Sequence, residues 1–590
     1  MRNIIASQGL GKLIMALNLS EQAKVKFPFI GGSYLARSKT QDCSRTVNMY
    51  PELHGYGAGK NLSPAALYSR YGLQLLQTLA PGPIRGGYTI SNTQISFIVS
   101  GNALWQIASG SGIATQISGN LTTSSGFVSM TDNGQTLLLV DGSNGYTVSF
   151  GGIDAITAVN TVVGGSGYID GTYKDVALTG GTGALAIATL IVSAGSVTTV
   201  TVTQGGYDYT VGDVLSVSPS FDGAGLGTGF SVTVASVSAV PLLNKIVDAN
   251  FYDGATTCTY QGGYFICNQA GTNVFFFSTA DSATWPALNI GSVDAYSDVL
   301  LAVLSNNQEL YMLCSKTIQI WSANSNATAS APFSPISGRS VNIGLTAPGT
   351  VQRIAGTFLF LGASEQGSGI VYSMENDSPV RKSNSAIEFR LQQAGDLSTS
   401  TALTWQENGH QFYALNCPNI DTTFVYDLTT DQWVEYQSRD SSGTNNRWWA
   451  QTHCYLAGQH IFGDYVNGNI YTMVDGYWLD NATPMSRIRQ CPHQADGVQM
   501  QFYKTLQVDV QPGAGTLTQD PRYVLEISRD GGWTWGNAIY AKAGKIGQYL
   551  SRVRWQRLGR ARDTVFRVTC DDPVNVVMLD AYLDVEQGTS

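Results

Sequence analysis

Glu526-Ile-Ser-Arg-Asp-Gly-Gly-Trp-Thr-Trp535 is the stretch that decides the fold of this chain. Ser528, Asp530, Gly532, Thr534 and Trp535 fit the pattern of an Asp box. This is a β-hairpin whose turn needs an Asp carboxylate to accept backbone N–H groups and a Gly with positive φ. We expect Trp535 to fold back as the hydrophobic plug of the hairpin. Asp boxes are frequent in β-propellers, where they lie away from the chemistry, so the motif indicates structure rather than catalysis.

An arginine run follows the Asp box. Its second part, Thr564–Thr569, is typical of a strand, and the step from Leu558 to Arg560 is typical of a turn. A basic patch can hold phosphates, but arginine is also favoured at subunit and domain contacts. Because the run is dense in a chain with few charges, we expect it to form an interface. Its candidate interface residues are Arg552, Arg554, Arg557, Arg560 and Arg562.

The composition indicates a large, turn-rich, all-β protein. Only 13% of the 590 residues are charged, whereas an average protein has roughly 25%. The chain has 65 Gly, 29 Tyr and 11 Trp, and it is long enough for several domains around a large buried core. Low charge with abundant aromatics is typical of surfaces that neighbours cover in an assembly. The formal net charge of −9 argues against a protein dedicated to coating DNA.

Short strands bounded by Gly, Asn, Asp or Ser predict a β-propeller-like core. Phe424–Trp433 resembles a propeller-blade hairpin, with a Trp placed to pack between blades. Ser385–Ala394 is the single plausible helix. We expect an N-terminal extension at 1–25, propeller at 26–155 and 241–485, an inserted Gly/Tyr-repeat β module at 156–240, and a C-terminal β domain at 486–590 with the Asp-box hairpin and the Arg-rich strand. At roughly 40 to 50 residues per blade, the propeller segments supply six to eight blades.

The inserted module is built on an internal repeat. Gly164-Gly-Ser-Gly-Tyr168 recurs as Gly205-Gly-Tyr-Asp-Tyr209, a period of 41 residues, and an alternating apolar run lies between the two copies. We expect each Tyr to pack under a Gly-rich turn. Asp170, Asp208 and Asp213 match no calcium-loop pattern, so they indicate structure rather than a metal site.

The search for catalytic and cofactor motifs is negative. The chain lacks the P-loop, zinc-protease and nucleophile-elbow patterns, and Gly55–Lys60 is better interpreted as a loop. The eight cysteines are spread without a CxxC, so we interpret them as reduced core residues. His453, Cys454, His460, Cys491 and His493 match no standard zinc spacing. We therefore predict no metal, no cofactor and no catalytic residue.

The apolar run 13–17 near the N-terminus is shorter than the core of a signal peptide.

Taken together, the C-terminal block resembles the packaged-DNA stabilisation proteins, also called tail-hub or tail-nozzle proteins, of short-tailed bacteriophages. Further strings are similar to this family in the same order along the chain, and they extend the resemblance from about residue 40 to 585, excluding the inserted module. These strings are 43–52, 64–73, 100–105, 310–321, 343–349 and 357–362.

The resemblance implies a structural virion protein that is not an enzyme. In this family a homo-oligomeric ring, expected to be a hexamer, docks below the portal and tail adaptor. It extends the DNA channel and helps retain packaged DNA until ejection. The implied partners are the adaptor, a tail tip or needle protein, tail fibres, and double-stranded DNA that passes without sequence-specific binding. The implied location is the virion tail, after synthesis in the host cytoplasm. A negative net charge suits such a conduit wall.

Two other classes of function stay open on the sequence alone. A propeller glycosidase or depolymerase needs two carboxylates about 5 Å apart, and such a pair can form in three dimensions from distant residues. A glycan-binding tail module without turnover would use the Gly/Tyr repeat as its binder. Both would act on host surface polysaccharide.

Overall fold

The computed structural model describes residues 25–53, 65–90, 95–108, 112–149, 155–207, 209–223, 227–238, 243–328 and 331–588. They form three β units: a propeller, a module inserted into it, and a sandwich. The expected N-terminal extension, apart from Val25, lies outside the described residues, as does the expected loop at 55–60. No helix in the described part of the chain is long and apolar enough to span a membrane.

Seven antiparallel sheets of the described chain form the propeller, and we number these blades in ring order. This agrees with the expected six to eight. From the axis outwards, blade 1 contains Ile84–Ile90, Ile95–Ser100, Ala103–Ala108 and Ala114–Asn120; blade 2 contains Ser129–Asp132, Thr136–Val140, Gly145–Ser149 and Asn244–Lys245; and blade 3 contains Cys258–Gln261, Tyr264–Asn268, Val274–Phe277 and Ile290–Ser292. Blade 4 contains Leu300–Asn306, Glu309–Cys314, Ile318–Thr328 and Ala331–Val341, and blade 5 contains Gln352–Ile354, Thr357–Ser364, Gly367–Glu375 and Ser378–Arg381, with Gly344–Leu345 added. Blade 6 contains Thr401–Glu407, His410–Cys417, Thr422–Asp427 and Gln432–Arg439, and blade 7 contains Ala450–Leu456, Gln459–Asp464, Asn469–Met473 and Leu73–Thr78.

A strand from the N-terminal part of the chain closes the ring. Leu73–Thr78 pairs antiparallel with Asn469–Met473, so the outermost strand of blade 7 comes from the opposite end of the propeller sequence. The next residue, Leu79, donates its N–H to the carbonyl of Gly468 at 2.6 Å. Closure pairs strand edges that would otherwise be free to pair with other chains.

The junction between blades 5 and 6 confirms two sequence predictions. Trp433 is buried, and its Nε1 donates to the carbonyl of Lys382 at 2.8 Å, which places the indole between the two blades. The predicted helix is present as Ser385–Gln393. It is capped by Asn384, whose side chain accepts from two backbone N–H groups of the first turn. Short 3₁₀ helices span Pro348–Thr350 and Pro418–Ile420.

The inserted module joins the third and fourth strands of blade 2. It is one six-stranded sheet with the strands Ala155–Ser166, Gly171–Thr179, Ala184–Ser193, Ser196–Tyr207, Val214–Val217 and Thr228–Ser238. Gly164 and Gly205 bring the first and last strands of this sheet together, because a side chain at either position would collide with the facing strand. Tyr168 and Tyr209 are both buried in the core that the curled sheet encloses.

The sandwich is made from both ends of the chain. Its first sheet contains Val25–Phe27, Met49–Leu53, Ala65–Ser69, Gln501–Val510, Val553–Ala561 and Val577–Gln587; its second contains Tyr34–Leu35, Cys43–Val47, Arg487–Gln490, Gln494–Ala495, Arg522–Ser528, Ile539–Lys542 and Asp563–Cys570. We expected the propeller to begin at residue 26. The structure instead places the strands up to Ser69 in the sandwich, because the chain crosses this domain before it enters blade 7.

The second sandwich sheet continues directly into blade 6. Cys43–Val47 pairs in parallel with Gln432–Arg439, with Val47 opposite Glu435, and this pairing gives one sheet of 12 strands. Asn445–Arg447 also pairs with the outer strand of blade 6, and Leu479–Asp480 and Thr483–Pro484 form a small hairpin beside the junction. A short parallel bridge, in which the N–H of Asn48 donates to the carbonyl of Glu435 at 2.9 Å, therefore links the sandwich to the propeller.

Candidate assembly surface

The expected interface arginines lie on a free strand edge of the sandwich. Val553–Ala561 is the last strand of the first sandwich sheet, and all five side chains are exposed: Arg552, Arg554, Arg557, Arg560 and Arg562. Arg554 Nη2 donates to Gln507 Oε1 at 3.0 Å, and the Arg560 guanidinium lies 5.9 Å from the ring centre of Phe502. None of the five forms an ion pair with any carboxylate that the structure describes. Five cations without a carboxylate partner among the described residues, all on one edge, are suited to binding an acidic surface.

The step from Leu558 to Arg560 is not the turn that the sequence predicted. The strand runs through it, and the register against Gln501–Val510 shifts there as a β-bulge. Arg557 and Gly559 have φ of 59° and 90°, which is the left-handed backbone that such an irregularity needs. The strand ends at Ala561, and the chain then crosses to Asp563–Cys570 in the second sandwich sheet. The bulge re-aims the side chains of this edge without ending the strand.

A second free edge lies beside the first. Ile539–Lys542 is the last strand of the second sandwich sheet, and Trp555 Nε1 donates to the carbonyl of Ile539 at 2.9 Å. The edges of both sheets therefore meet on one side of the sandwich. We call residues 539–562 the basic edge, because they include seven Lys or Arg and no Asp or Glu. Its exposed apolar side chains are Ile539, Tyr540, Ile546, Tyr549 and Leu550.

The Asp-box residues form a dense hydrogen-bonded turn in the sandwich. Asp530 accepts from the Ser528 hydroxyl at 2.6 Å and from the backbone N–H of Trp533 and Thr534 at 3.0 and 2.9 Å. These bonds hold the pKa of the Asp530 carboxyl well below its usual value. Gly532 has φ of +88°, and its N–H donates to the Ser528 hydroxyl. The motif braces the turn after Arg522–Ser528, close to the N-terminal segment.

Trp535 is not the core plug that the sequence predicted. It is half-buried, and the Arg567 guanidinium lies 3.9 Å from its ring centre. Arg567 in turn pairs with Glu526 at 2.7 Å. The indole therefore packs against a cation, an arrangement stabilised by cation–π attraction.

Buried arginines at the junction of sandwich and propeller were missed by the sequence reasoning. Arg70 is fully buried and donates to both carboxylate oxygens of Asp480, at 3.0 and 2.6 Å, to Asn48 Oδ1, and to the carbonyl of Gln437. Arg487 is also fully buried and donates to the Ser69 hydroxyl and to backbone carbonyls. Arg70 lies within the string 64–73 that supported the family resemblance. Its place in that string was the signal in the sequence that could have identified it as a functional residue.

Glu435 forms a second buried charge network at the same junction. It is fully buried in blade 6, where Arg45 of the sandwich donates to it at 2.8 Å and Arg390 of the helix donates at 2.9 Å. Burial alone raises the pKa of the Glu435 carboxyl, but the two guanidiniums outweigh burial and hold the pKa below its usual value. Both networks therefore join the two domains through charge-assisted hydrogen bonds.

The residues considered as metal ligands lie in different domains. His453 and His460 contact each other in blade 7 at 2.9 Å between Nε2 and Nδ1, whereas His493 pairs with Asp563 in the sandwich. Burial lowers the pKa of His453 to about 3. All eight cysteines are buried and unbridged, which confirms that they are core residues. The described residues contain no group of three or more side chains suited to holding a metal ion.

Carboxylates of the inserted module bind backbone groups rather than forming a calcium loop. Asp213 accepts from the N–H of Thr182 at 3.0 Å and of Thr210 at 2.9 Å. Asp170 accepts from the N–H of Gly195 at 2.8 Å. Asp208 lies outside the described residues. The two described aspartates act as turn braces.

The axis of the propeller encloses a cavity of about 280 Å³. The innermost strands of all seven blades line it, and its lining among the described residues contains Arg85, Arg353 and His453 but no carboxylate. The axis therefore has no room for duplex DNA, and its lining lacks the carboxylate pair of a retaining glycosidase.

Glu407 gives a testable pH effect in blade 6. It is buried against Trp405, whose Nε1 donates to Oε2 at 3.2 Å, and its Oε1 has no partner among the described residues. Burial raises the pKa of Glu407 from 4.5 to about 7. Folding therefore favours the protonated form, so the carboxyl is well tolerated below pH 4.5 and destabilises the fold increasingly as the pH rises to 7.

We expect Glu407→Gln to raise the free energy of unfolding by about 3 kcal/mol at pH 8 and to leave it nearly unchanged at pH 4. Urea unfolding at both pH values measures the difference. Exposed Glu365→Gln is the matched control, with no pH-dependent change expected. An equal effect of Glu407→Gln at both pH values would contradict the buried-acid interpretation.

Comparison with known families follows the same division into two domains. The family model described as "Bacteriophage P22 Gp10, beta-propeller" matches residues 191–476, and the model "Bacteriophage P22 Gp10, beta-sandwich" matches residues 488–586. The chain belongs to the phage P22 Gp10 family. It is therefore related to a packaged-DNA stabilisation protein of a phage tail, and the resemblance found in the sequence is confirmed.

The limits of the family match differ from those of the sequence resemblance. The Gp10 propeller match begins at residue 191, within the module that we had excluded, and blade 1 precedes it. No curated protein matches the chain. Among solved structures, the computationally designed Ika8 protein matches with a TM-score of 0.30 and 11% identity, covering 68% of this chain and 99% of that one. A similarity this low carries no argument about the Gp10 fold.

Proposed function

We propose that this Gp10-family protein forms a homo-oligomeric ring, a hexamer, in the tail of a phage virion. The ring lies below the portal and adaptor, extends the DNA channel, and helps retain packaged DNA until ejection. A tip or needle protein blocks its lumen, and tail fibres are further neighbours. The chain is made in the host cytoplasm and acts as a structural component without catalysis or cofactor.

The narrow propeller axis is the observation that carries this proposal. A 280 Å³ cavity excludes duplex DNA, so a channel for DNA has to lie between copies of the chain rather than within one. Cyclic symmetry creates such a lumen. The formal net charge of −9 of the chain suits the wall of this lumen. An acidic wall repels phosphates and lets DNA slide without sticking.

The junction between sandwich and propeller supports a mechanical role. The 12-stranded sheet and the buried Arg70–Asp480 and Glu435 networks join the two domains into one stiff body. A ring wall under pressure from packaged DNA needs this stiffness. Within the proposal, Arg552, Arg554, Arg557, Arg560 and Arg562 make inter-subunit or adaptor contacts, and the Asp box braces the domain that presents them.

The test is the mass and shape of the purified protein, alone and with a portal–adaptor complex, by light scattering and negative-stain imaging. We expect a six-membered ring with an open centre, formed alone or on the adaptor. A chain that stays monomeric and does not bind the adaptor would contradict the proposal.

A further inference from the structure

A second surface complements the basic edge in charge. Residues 243–299, which span blade 3 and its flanking loops, carry five Asp and one Lys. Asp253, Asp281 and Asp294 are exposed, and none of the three forms an ion pair with a described residue. Asp248 Oδ2 accepts from the N–H of Trp285 at 3.2 Å, which brings the loop before blade 3 against its outer part. We call residues 247–253 and 281–298 the acidic rim.

Both surfaces also expose large apolar side chains. On the acidic rim, Val247 and Leu288 are 89% and 79% exposed, and Ile290 and Tyr296 are nearly half exposed. On the basic edge, Leu550 is 96% exposed, and Tyr540 and Tyr549 lie beside it with about two thirds of their surface accessible. Exposed apolar groups bordered by charges mark protein contacts. The exposed apolar side chains also distinguish the basic edge from a surface that binds DNA. Hydrogen bonds to the phosphates of the DNA would dominate such a surface.

The two surfaces lie on opposite sides of the molecule. The sandwich adjoins blades 6 and 7, and blade 3 is three blades from blade 6 in one direction and three from blade 7 in the other. Each surface also ends in a free strand edge, since Ile290–Ser292 is the outermost strand of its blade. Different, complementary surfaces on opposite sides give head-to-tail contacts, and such contacts form a closed ring when the rotation between neighbours permits.

We propose that the basic edge of one copy docks on the acidic rim of the next copy, with Arg554, Arg557 and Arg560 facing Asp253, Asp281 and Asp294 around an apolar centre that includes Leu550 and Leu288. This inference rests on the proposed ring and specifies its subunit contact. The occupant of the basic edge is thus a second copy of this chain, because the chain itself carries the matching acidic and apolar surface.

Charge reversal in both surfaces tests the contact. Like charges facing each other repel, so we expect Arg557→Glu with Arg560→Glu to lower the ring fraction by about tenfold or more. Asp281→Lys with Asp294→Lys should do the same. The variant with all four changes should regain rings, because the reversed edge then meets a reversed rim. Lys174→Glu with Glu365→Lys changes exposed charges outside both surfaces and should leave the rings intact.

Crosslinking gives a second measurement that does not depend on weakening the ring. Because every native cysteine is buried, Leu288→Cys with Leu550→Cys supplies the accessible thiols. A bismaleimide should then link copies into ladders up to the full ring, while either single variant should give no ladder. Circular dichroism and the thermal midpoint confirm that each variant is folded.

Different failures identify different errors. A wild-type chain that never forms rings overturns the ring itself. Wild-type rings that tolerate both reversals overturn the docking mode alone. In a third outcome, the arginine-reversal variant is folded but forms no rings, and the four-change variant does not regain them. This result overturns the inference and assigns the basic edge to another partner. Adaptor and short duplex DNA, added separately to wild type and to that variant, then show which partner it is.

Discussion

Replacing Arg70 by Met is expected to lower the free energy of unfolding by about 3–5 kcal/mol, because it leaves a buried carboxylate without its partner. Arg70 and Asp480 are 0% and 1% exposed, and their closest contact is 2.6 Å. The guanidinium also lies 5.4 Å from the ring centre of Tyr436 and 5.5 Å from that of Trp448. The substitution thus removes an ion pair and a cation–π contact at one point.

The effect should appear at the domain junction in particular. Arg70 follows a sandwich strand, whereas Asp480 and Gln437 come from the end of the propeller sequence. Urea unfolding followed by tryptophan fluorescence measures the loss, and we expect the single transition to broaden or split as the domains uncouple. Exposed Arg37→Met is the matched control, with a change below about 0.5 kcal/mol expected. A loss below about 1 kcal/mol for Arg70→Met would contradict the role assigned to the pair.

Local patterns made much of the fold predictable from the sequence. Alternating apolar residues between turn residues identified blade strands such as Gln135–Val140 and Gln411–Leu415, because each strand buries one or both faces within its own short segment. Trp433 and the helix at Ser385 were predicted for the same reason, since both are specified by neighbours a few residues away. Each of these features is fixed by local sequence.

Long-range pairing was beyond the same reasoning. The strands before Ser69 carry ordinary β patterns, and nothing in them says whether their partners lie in a blade or in the sandwich. Arg45 and Arg70 look like surface residues until Glu435 and Asp480, some 400 positions away, fold against them. The bulge at Arg557 resembles a turn because positive φ and Gly are common to both. Such features depend on partners that the local sequence does not reveal.

The candidate interface was predicted in part. Arginine density pointed to the basic edge, because five cations between positions 552 and 562 are unusual in a chain with so few charges. Its counterpart was not predicted, since the aspartates of the acidic rim are spread over some 50 residues and come together only when the loops around blade 3 fold. The apolar residues of both surfaces look like core residues in the sequence, and only their exposure separates them from the core.

Gly468→Ala is expected to destabilise the propeller by about 3 kcal/mol, the upper part of the usual range for forcing atoms into a packed site. A Cβ at this position would lie 1.6 Å from the carbonyl oxygen of Leu79, which is backbone and cannot move aside alone. Leu79, which directly follows the strand Leu73–Thr78 that closes the propeller, also donates its N–H to the carbonyl of Gly468. Relief of the clash therefore has to displace that strand from blade 7.

Opening of the closed propeller between blade 7 and its outermost strand is the physical consequence that distinguishes this variant from a general loss of packing. Hydrogen exchange should rise first in Leu73–Thr78 and Asn469–Met473, because their shared ladder is the one that the new methyl group separates. Gly82→Ala is the matched control, since its Cβ would meet its nearest neighbour at an ordinary 3.6 Å. Uniform exchange across all seven blades in Gly468→Ala would show that closure does not depend on this contact. Localised exchange would establish the N-terminal strand as the closing element on which the ring-shaped fold depends.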